Sequence, residues 1–476
     1  MEVTPIGWLL LVIGPLLMLF RPKWLYVVTI FSLPFTATDI VNVGNGDTYS
    51  GVQTPMFFGA LLILRYGFSF LTKMSLPLPR KGTASLVCLG IFIAIATLSL
   101  IMPIWLDSQV LIPSSSILVT TTTLLHFKSK NITGLLYMIL GYSFVYLIAV
   151  ANQKADVLRL TVKAFIAGSA FAAAWGLVEF VCKIADVPYP AMIFNTGLAA
   201  NTTGYMQRIR GFPRIASVAV EPSVFAQTMV IAVCLYLPFV FGRLRLFGKA
   251  WDRRLFALLF GVLCLSTSST GYVGIAVGAF TVFALFTARG VLTLQHFKIP
   301  LIALAVSALI DRTVTPVRIV LHSALFAKAQ DYSALERFMT VHNAYQMFFQ
   351  HPWLGIGWAS MDSFDLIANI SANAGIFGLL SFTVAMYFMF RVLYRSIRSR
   401  SRALGAMGLM QMDFGVYVAL AAILGTQVVG GFLYVFLFFW FVPGLAIAAA
   451  SSTETFMADT PDRDMLPLKL ESASGA

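Results

Sequence analysis

Apolar residues fall along this chain in long unbroken runs, without the period-two alternation of a half-buried strand. The runs cover approximately 6–20, 25–35, 55–71, 84–101, 133–150 and 162–181. They continue at 222–241, 255–265, 272–287, 300–310, 366–390, 416–429 and 432–449. A helix rises 1.5 Å per residue, so about 20 apolar residues cross a hydrocarbon layer of about 30 Å. In that layer only helices and closed barrels satisfy every backbone N–H and C=O, and the missing alternation argues against a barrel. The pattern predicts an all-α polytopic membrane protein with about 11–13 transmembrane helices. Several runs are shorter than a full span, so a re-entrant hairpin, or an extra span near 116–126, shifts that number.

The polar stretches between the runs give orientation. Arg21 with Lys23, Lys73 with Arg80 and Lys81, and Lys154 with Arg159 alternate with cation-poor loops. So do the clusters Arg243, Arg245, Lys249, Arg253, Arg254 and Arg391, Arg395, Arg398, Arg400, Arg402. Lys and Arg collect in cytoplasmic loops, which puts all of these on the inner side. Residues 1–450 then read as one transmembrane domain, and the mixed polar stretch 451–476 as a disordered cytoplasmic tail. The first apolar run lacks a basic leader and a cleavage motif before it, and reads as a retained membrane segment.

Composition changes this picture little. Of 476 residues 59% are hydrophobic and 11% charged, far below the usual charged share of a soluble domain. The net charge of +13 invites a nucleic-acid reading, but membrane topology accounts for most of the cations, so no nucleic-acid partner is expected. Cys88, Cys182, Cys234 and Cys264 are scattered in or beside apolar runs and suggest neither a disulfide framework nor a zinc site.

Two outer loops, Lys183–Glu221 and Asp311–Asp365, are long enough to be functional or disordered. Both carry arginines against the topology rule: Arg208, Arg210, Arg214, Arg312, Arg318 and Arg337. A guanidinium stays charged and donates two parallel hydrogen bonds, which suits phosphate. In "RIRGFPRIASVAVEPSVFA" (Arg208–Ala226), Gly211 admits close backbone approach, Phe212-Pro213 stiffens the turn, and Pro222 opens the next helix with Glu221 at its cap. In the second loop Leu335, Phe338, Met339, Ala344, Met347 and Phe348 recur at helical spacing, predicting an amphipathic helix at the interface. Pro352 ends it, and Gly355-Ile356-Gly357-Trp358 makes a turn with an interfacial aromatic. Glu221, Asp365 and His342 are candidate proton acceptors; their plain alternatives are a helix-start acid, a cap and an exposed loop residue. Glu179, near the outer end of its run, reads as a capped or water-exposed carboxylate, and Arg65 and Asp413 as snorkelling groups near inner ends. Asp39 and Asp47 occupy the first outer loop without a D-x-D partner, and the only D-x-D, Asp462-Arg463-Asp464, is in the tail, so no metal site is expected.

The order R-x-R-G, E-P-S-x-F-A, S-A-L-E-R (Ser333–Arg337), H-P-W-L-G-I-G (His351–Gly357) and "NAGIFGLLSF" (Asn373–Phe382) resembles the O-antigen ligase-like superfamily. The chain looks most like its O-antigen and exopolysaccharide polymerases. The Ser/Thr-rich "LSTSSTGYVGI" (Leu265–Ile275) is similar to a segment those proteins carry between two spans. The resemblance spans about Gln207 to Phe382. It implies a GT-C-like, cofactor-free glycosyltransferase in the cell inner membrane, working from its periplasmic face, so that the two long loops are periplasmic. Its substrate would be a polyprenyl-pyrophosphate-linked oligosaccharide in a lipid setting, with a chain-length regulator and a flippase as partners. By resemblance Arg210 and Arg337 hold the donor pyrophosphate; Arg208, Arg214, Arg312 and Arg318 are further candidates for binding it. Phe364-Asp365 stands where ligases carry a His-Asn pair, which favours a polymerase over a ligase. A small-anion transporter, the alternative from another class, would show repeat-related broken helices and midplane charges.

Overall fold

The computed structural model describes residues 2–45, 48–73, 77–113, 122–197, 208–209, 212–290, 332–404, 410–430 and 433–451. Arg210, Gly211, Arg312, Arg318, Asp47, the run at 300–310, the stretch 116–121 and the tail from 452 lie outside them.

Within the described residues the predicted helices form. A short strand β1 (Glu2–Val3) leads into α1 (Pro5–Phe20), whose Thr4 cap accepts from Gly7 N at 2.9 Å with Pro5 in the first turn. After α2 (Pro22–Phe31) come β2 (Asp39–Asn45), β3 (Thr48–Gln53), α3 (Thr54–Lys73) and α4 (Thr83–Ser99). Then follow α5 (Met102–Trp105), β4 (Leu111–Ile112), β5 (Thr123–Leu124), α6 (Ser129–Ala151), α7 (Ala155–Ala185) and α8 (Ala191–Phe194). The strands β6 (Arg208–Ile209) and β7 (Phe212–Pro213) precede α9 (Pro222–Val240), α10 (Lys249–Leu265) and α11 (Ser269–Ala288). The later helices are α12 (Tyr332–Gln350), α13 (Leu366–Leu404), α14 (Met412–Gly430) and α15 (Leu437–Ser451). Among the described residues, 7 helices are long and apolar enough to span a membrane, and three apolar helices are shorter. With Trp8, Leu19, Trp24, Phe68, Phe280 and Tyr387 exposed on helix flanks, this is an all-α polytopic membrane protein.

Contacts sort the helix ends into two faces. At the basic end Arg159 Nη2 donates to Arg245 O, Arg289 Nη2 to Arg398 O at 3.0 Å, and Ser451 Oγ to Lys81 O at 3.0 Å. Asp413 pairs there with Arg400 at 3.6 Å and is fully buried, so it does not snorkel. At the other, loop end, Ala37 N donates to Val218 O at 2.9 Å, Trp358 N to Ser99 Oγ at 3.0 Å, and Arg337 Nη1 to Val429 O at 2.8 Å. The alternation of cation-rich and cation-poor loops read from the sequence is thus the alternation of chain between these ends. Between them α9 is buried nearly all round, packed on α7, α10, α11 and α14. It is apolar on every face because it meets protein on every face.

Candidate functional site at the loop end

The segment before α9 is anchored from α7. Glu179 is fully buried, not water-exposed, and its Oε1 lies 2.5 Å from Lys183 Nζ one turn on. Its Oε2 accepts from Ala216 N at 3.1 Å and Ser217 N at 2.5 Å, while Lys183 Nζ also donates to Arg214 O at 2.8 Å. A carboxylate out of water needs a counter-charge and donors, and this one has both. Ser217, at φ 54, donates its Oγ to Ala172 O at 2.5 Å and receives Asn195 Nδ2 on its carbonyl at 2.7 Å. Ile215, Ala216, Val218 and Ala219 are buried as a result. What reads as a loop is a strap threaded through the top of the bundle.

Arg208 is exposed on β6, opposite Pro213 on β7, with Nη2 3.4 Å from Lys183 O. Arg214 is half-buried, its carbonyl held by Lys183, and its charge acts on Tyr272 at the start of α11. Glu221 is the exposed N-cap of α9 with Pro222 in the first turn, as expected, and accepts from Ser223 Oγ at 3.0 Å.

Arg337 meets this edge from α12. Its guanidinium lies 5.4 Å from the centre of the Phe364 ring, and its buried Nε has no hydrogen-bond partner. Burial pushes its pKa below the ordinary arginine value, and the charges of Glu221, then Glu336, oppose that shift. Glu221 and Arg337, far apart in sequence, therefore belong to one electrostatic site. Asp365 caps α13: its Oδ1 accepts from Ile367 N at 2.7 Å and Ala368 N at 3.2 Å. Burial raises its carboxyl above the usual range against those two bonds. His342 lies on the exposed face of α12 rather than in a loop, 3.0 Å from Gln346 Nε2 and stacked on Phe338.

The amphipathic helix exists, but its buried face differs from the expected one. Thr340, Asn343, Ala344 and Met347 face inward, while Leu335, Phe338 and Met339 are exposed. Docking on α13 selects the stripe of smaller side chains and leaves the bulky one outside. Trp358 is likewise buried, edge-on to Phe92 and against Tyr434; the exposed aromatic of that turn is Trp353.

Two motifs read separately in the sequence form one unit. α13 breaks at Gly375, whose φ is 65 and ψ −164. The His351–Gly357 turn fills the break: Ile376 N donates to Pro352 O at 2.7 Å, and Ile356 N to Ala372 O at 2.8 Å. A side-chain carbon on Gly375 would lie 2.1 Å from Trp353 O, and one on Gly355 2.2 Å from Ala372 O. Asn373 clamps the following loop by bonding both the N–H and the carbonyl of Met361 at 3.1 and 2.9 Å.

The sequence reading missed the β2–β3 hairpin and its tie to residues 194–197. Asn45-Gly46 between short alternating runs was the available signal. Asp39 exchanges backbone bonds with Thr196 Oγ1 at 3.0 and 2.8 Å. Its carboxylate faces Gly51 and Gly197, where side-chain carbons would come within 1.7 and 2.7 Å of Oδ2. Burial pushes this carboxyl up to about 7.

The fold and site together define a multi-pass helical membrane protein whose loop end gathers arginine and carboxylate from distant segments. Residues 255–377 match the family model described as O-Antigen ligase, which supports assigning the chain to the O-antigen ligase-like superfamily. The match takes in Arg337, His342 and Asp365, and begins after the strap and Glu221, which lie outside it. No curated protein matches the chain.

Proposed function

We propose that this protein is a membrane glycosyltransferase of the GT-C type that polymerises polyprenyl-pyrophosphate-linked oligosaccharide repeats into O-antigen, capsule or exopolysaccharide. Its site faces the periplasm from the inner membrane. The observation that carries this reading is half-buried Arg337, fixed on Val429 O and within range of the charge of Glu221, inside the segment 255–377 that matches the O-antigen ligase family. An acceptor hydroxyl attacks the donor's anomeric carbon, the bond from that carbon to the diphosphate oxygen breaks, and polyprenyl pyrophosphate leaves. Arg337, with Arg210, neutralises the charge that develops on the leaving group; one such preorganised donor contributes about 3 kcal/mol. Glu221 takes the hydroxyl proton, in preference to Asp365, whose Oδ1 is committed to two cap bonds. His342 faces outward and ranks last. Arg208, Arg214, Arg312 and Arg318 draw the anionic donor to the site.

The family description itself favours a second reading, transfer of finished glycan to an acceptor. The transporter alternative is weakened because the break in α13 is filled by the chain's own turn. Cells lacking the protein should accumulate single lipid-linked repeats if it polymerises, and long unligated chains if it ligates. Arg337→Ala should reproduce the deletion with normal protein levels; full glycan from that variant would refute the diphosphate role.

A further inference from the structure

The basic end carries an arrangement that glycosyl transfer does not use. Successive helical residues turn by about 100°, so Arg391, Arg395, Arg398 and Arg402 of α13 fall within about 60° of arc. Arg400 points to the opposite side and is taken up by Asp413. Among the described residues none of the four stripe arginines forms a salt bridge. Like charges at this spacing destabilise a helix, though the helix C-terminus offsets part of that cost. Arg395, Arg398, Ser399 and Arg402 line an open groove of about 490 Å³.

A fifth arginine joins from another helix. Arg289, at the C-cap of α11, donates Nη2 to Arg398 O at 3.0 Å, and its buried Nε has no hydrogen-bond partner. It follows directly on the apolar run of α11, so Arg398 lies level with the end of a membrane span. The groove is therefore at headgroup depth. Guanidinium forks match phosphate oxygens in pairs, and basic pockets between spans recognise anionic headgroups. From Arg395 to Arg402 the stripe runs about 10 Å, longer than one phosphate and suited to two.

We infer that this groove binds the phosphate groups of anionic membrane lipid, with preference for a lipid carrying two phosphates. The test uses purified full-length protein in neutral detergent, with thermal unfolding followed as lipid is titrated. Diphosphatidylglycerol should stabilise at the lowest concentration, phosphatidylglycerol at a higher one, and phosphatidylcholine not at all. The variant Arg395→Gln/Arg398→Gln/Arg402→Gln should need about tenfold more anionic lipid or more. A control, Arg243→Gln/Lys249→Gln/Arg253→Gln, removes three exposed cations at the same end outside the groove and should titrate like wild type. Equal weakening in both variants would reduce the effect to bulk charge and overturn the proposal. So would inorganic phosphate stabilising as strongly as the lipids, since the groove would then bind a free anion. If the groove variant unfolds without lipid, titrating Arg398→Lys alone decides: a wild-type response overturns the proposal and a weakened one supports it.

Discussion

Replacing Glu179 by glutamine changes one atom and one charge at the point where α7 holds the strap. With its amide oxygen in the place of Oε2, the variant keeps the acceptor that now takes both strap N–H groups, at 3.1 and 2.5 Å. It removes the counter-charge of Lys183, whose side chain is 8% exposed. Breaking a buried pair by deleting one partner costs about 3–5 kcal/mol, because the remaining charge stays buried without compensation. At the shallow slope of a large protein that is a fall of about 5 °C in apparent melting temperature, measured in detergent at one scan rate. Glu179→Gln/Lys183→Met removes both charges and should recover most of that loss, since an apolar replacement of a buried pair is often neutral. Glycan synthesis should not recover with it, because Lys183 also holds Arg214 O and thereby the path of the strap. A single variant that melts within about 1 °C of wild type would show that the pair is solvated and the strap is held by something else.

Asp39→Asn should act through pH. With its carboxyl raised from 3.8 to about 7, ionisation costs more in the folded than in the unfolded chain, so stability falls as pH climbs between those values and stays low above them. The full span is of order 4 kcal/mol, and melts from pH 5 to 8 should show the asparagine variant gaining on wild type as pH rises. Gly375→Ala puts a carbon 2.1 Å from Trp353 O at φ 65, and should lower expression and melting temperature sharply, whereas Gly67→Ala, which meets nothing within 4 Å, should not. Arg337→Lys keeps a charge but loses the fork. It should retain folded protein and lose about tenfold to a hundredfold in glycan synthesis, and a wild-type rate would argue against bidentate binding.

Span positions were legible because apolar runs must match a hydrocarbon thickness, and the loops that share an end because cations mark one end of the bundle. The polar anchors were harder. Glu179 and Lys183 stand four apart in Glu-Phe-Val-Cys-Lys, a spacing that predicts a pair, but whether a pair is solvated or buried depends on the strap that covers it. The same holds for α12, where apolar side chains lie on both faces and only docking on α13 decides that Ala344 and Met347 go in while Phe338 stays out. Trp358 was the expected interfacial aromatic, but the turn at Gly357, φ 102, carries it into the core and leaves Trp353, five residues earlier, exposed.

The candidate site follows the same logic. The loop-side position of Arg208, Arg214 and Arg337 was legible, but convergence was not, because Arg337 comes within range of the charge of Glu221 only once α9 packs on α14, whose Val429 O holds Arg337. Arg337 spends one donor on Val429 O and leaves Nε unused in a buried setting, so the side chain is fixed in place with donor capacity to spare. A guanidinium held that way has given up its rotamer freedom before any ligand arrives, and a diphosphate reaching its exposed edge would meet a preorganised donor. That is why a lysine, mobile and without a fork, should serve poorly there even though it restores the charge.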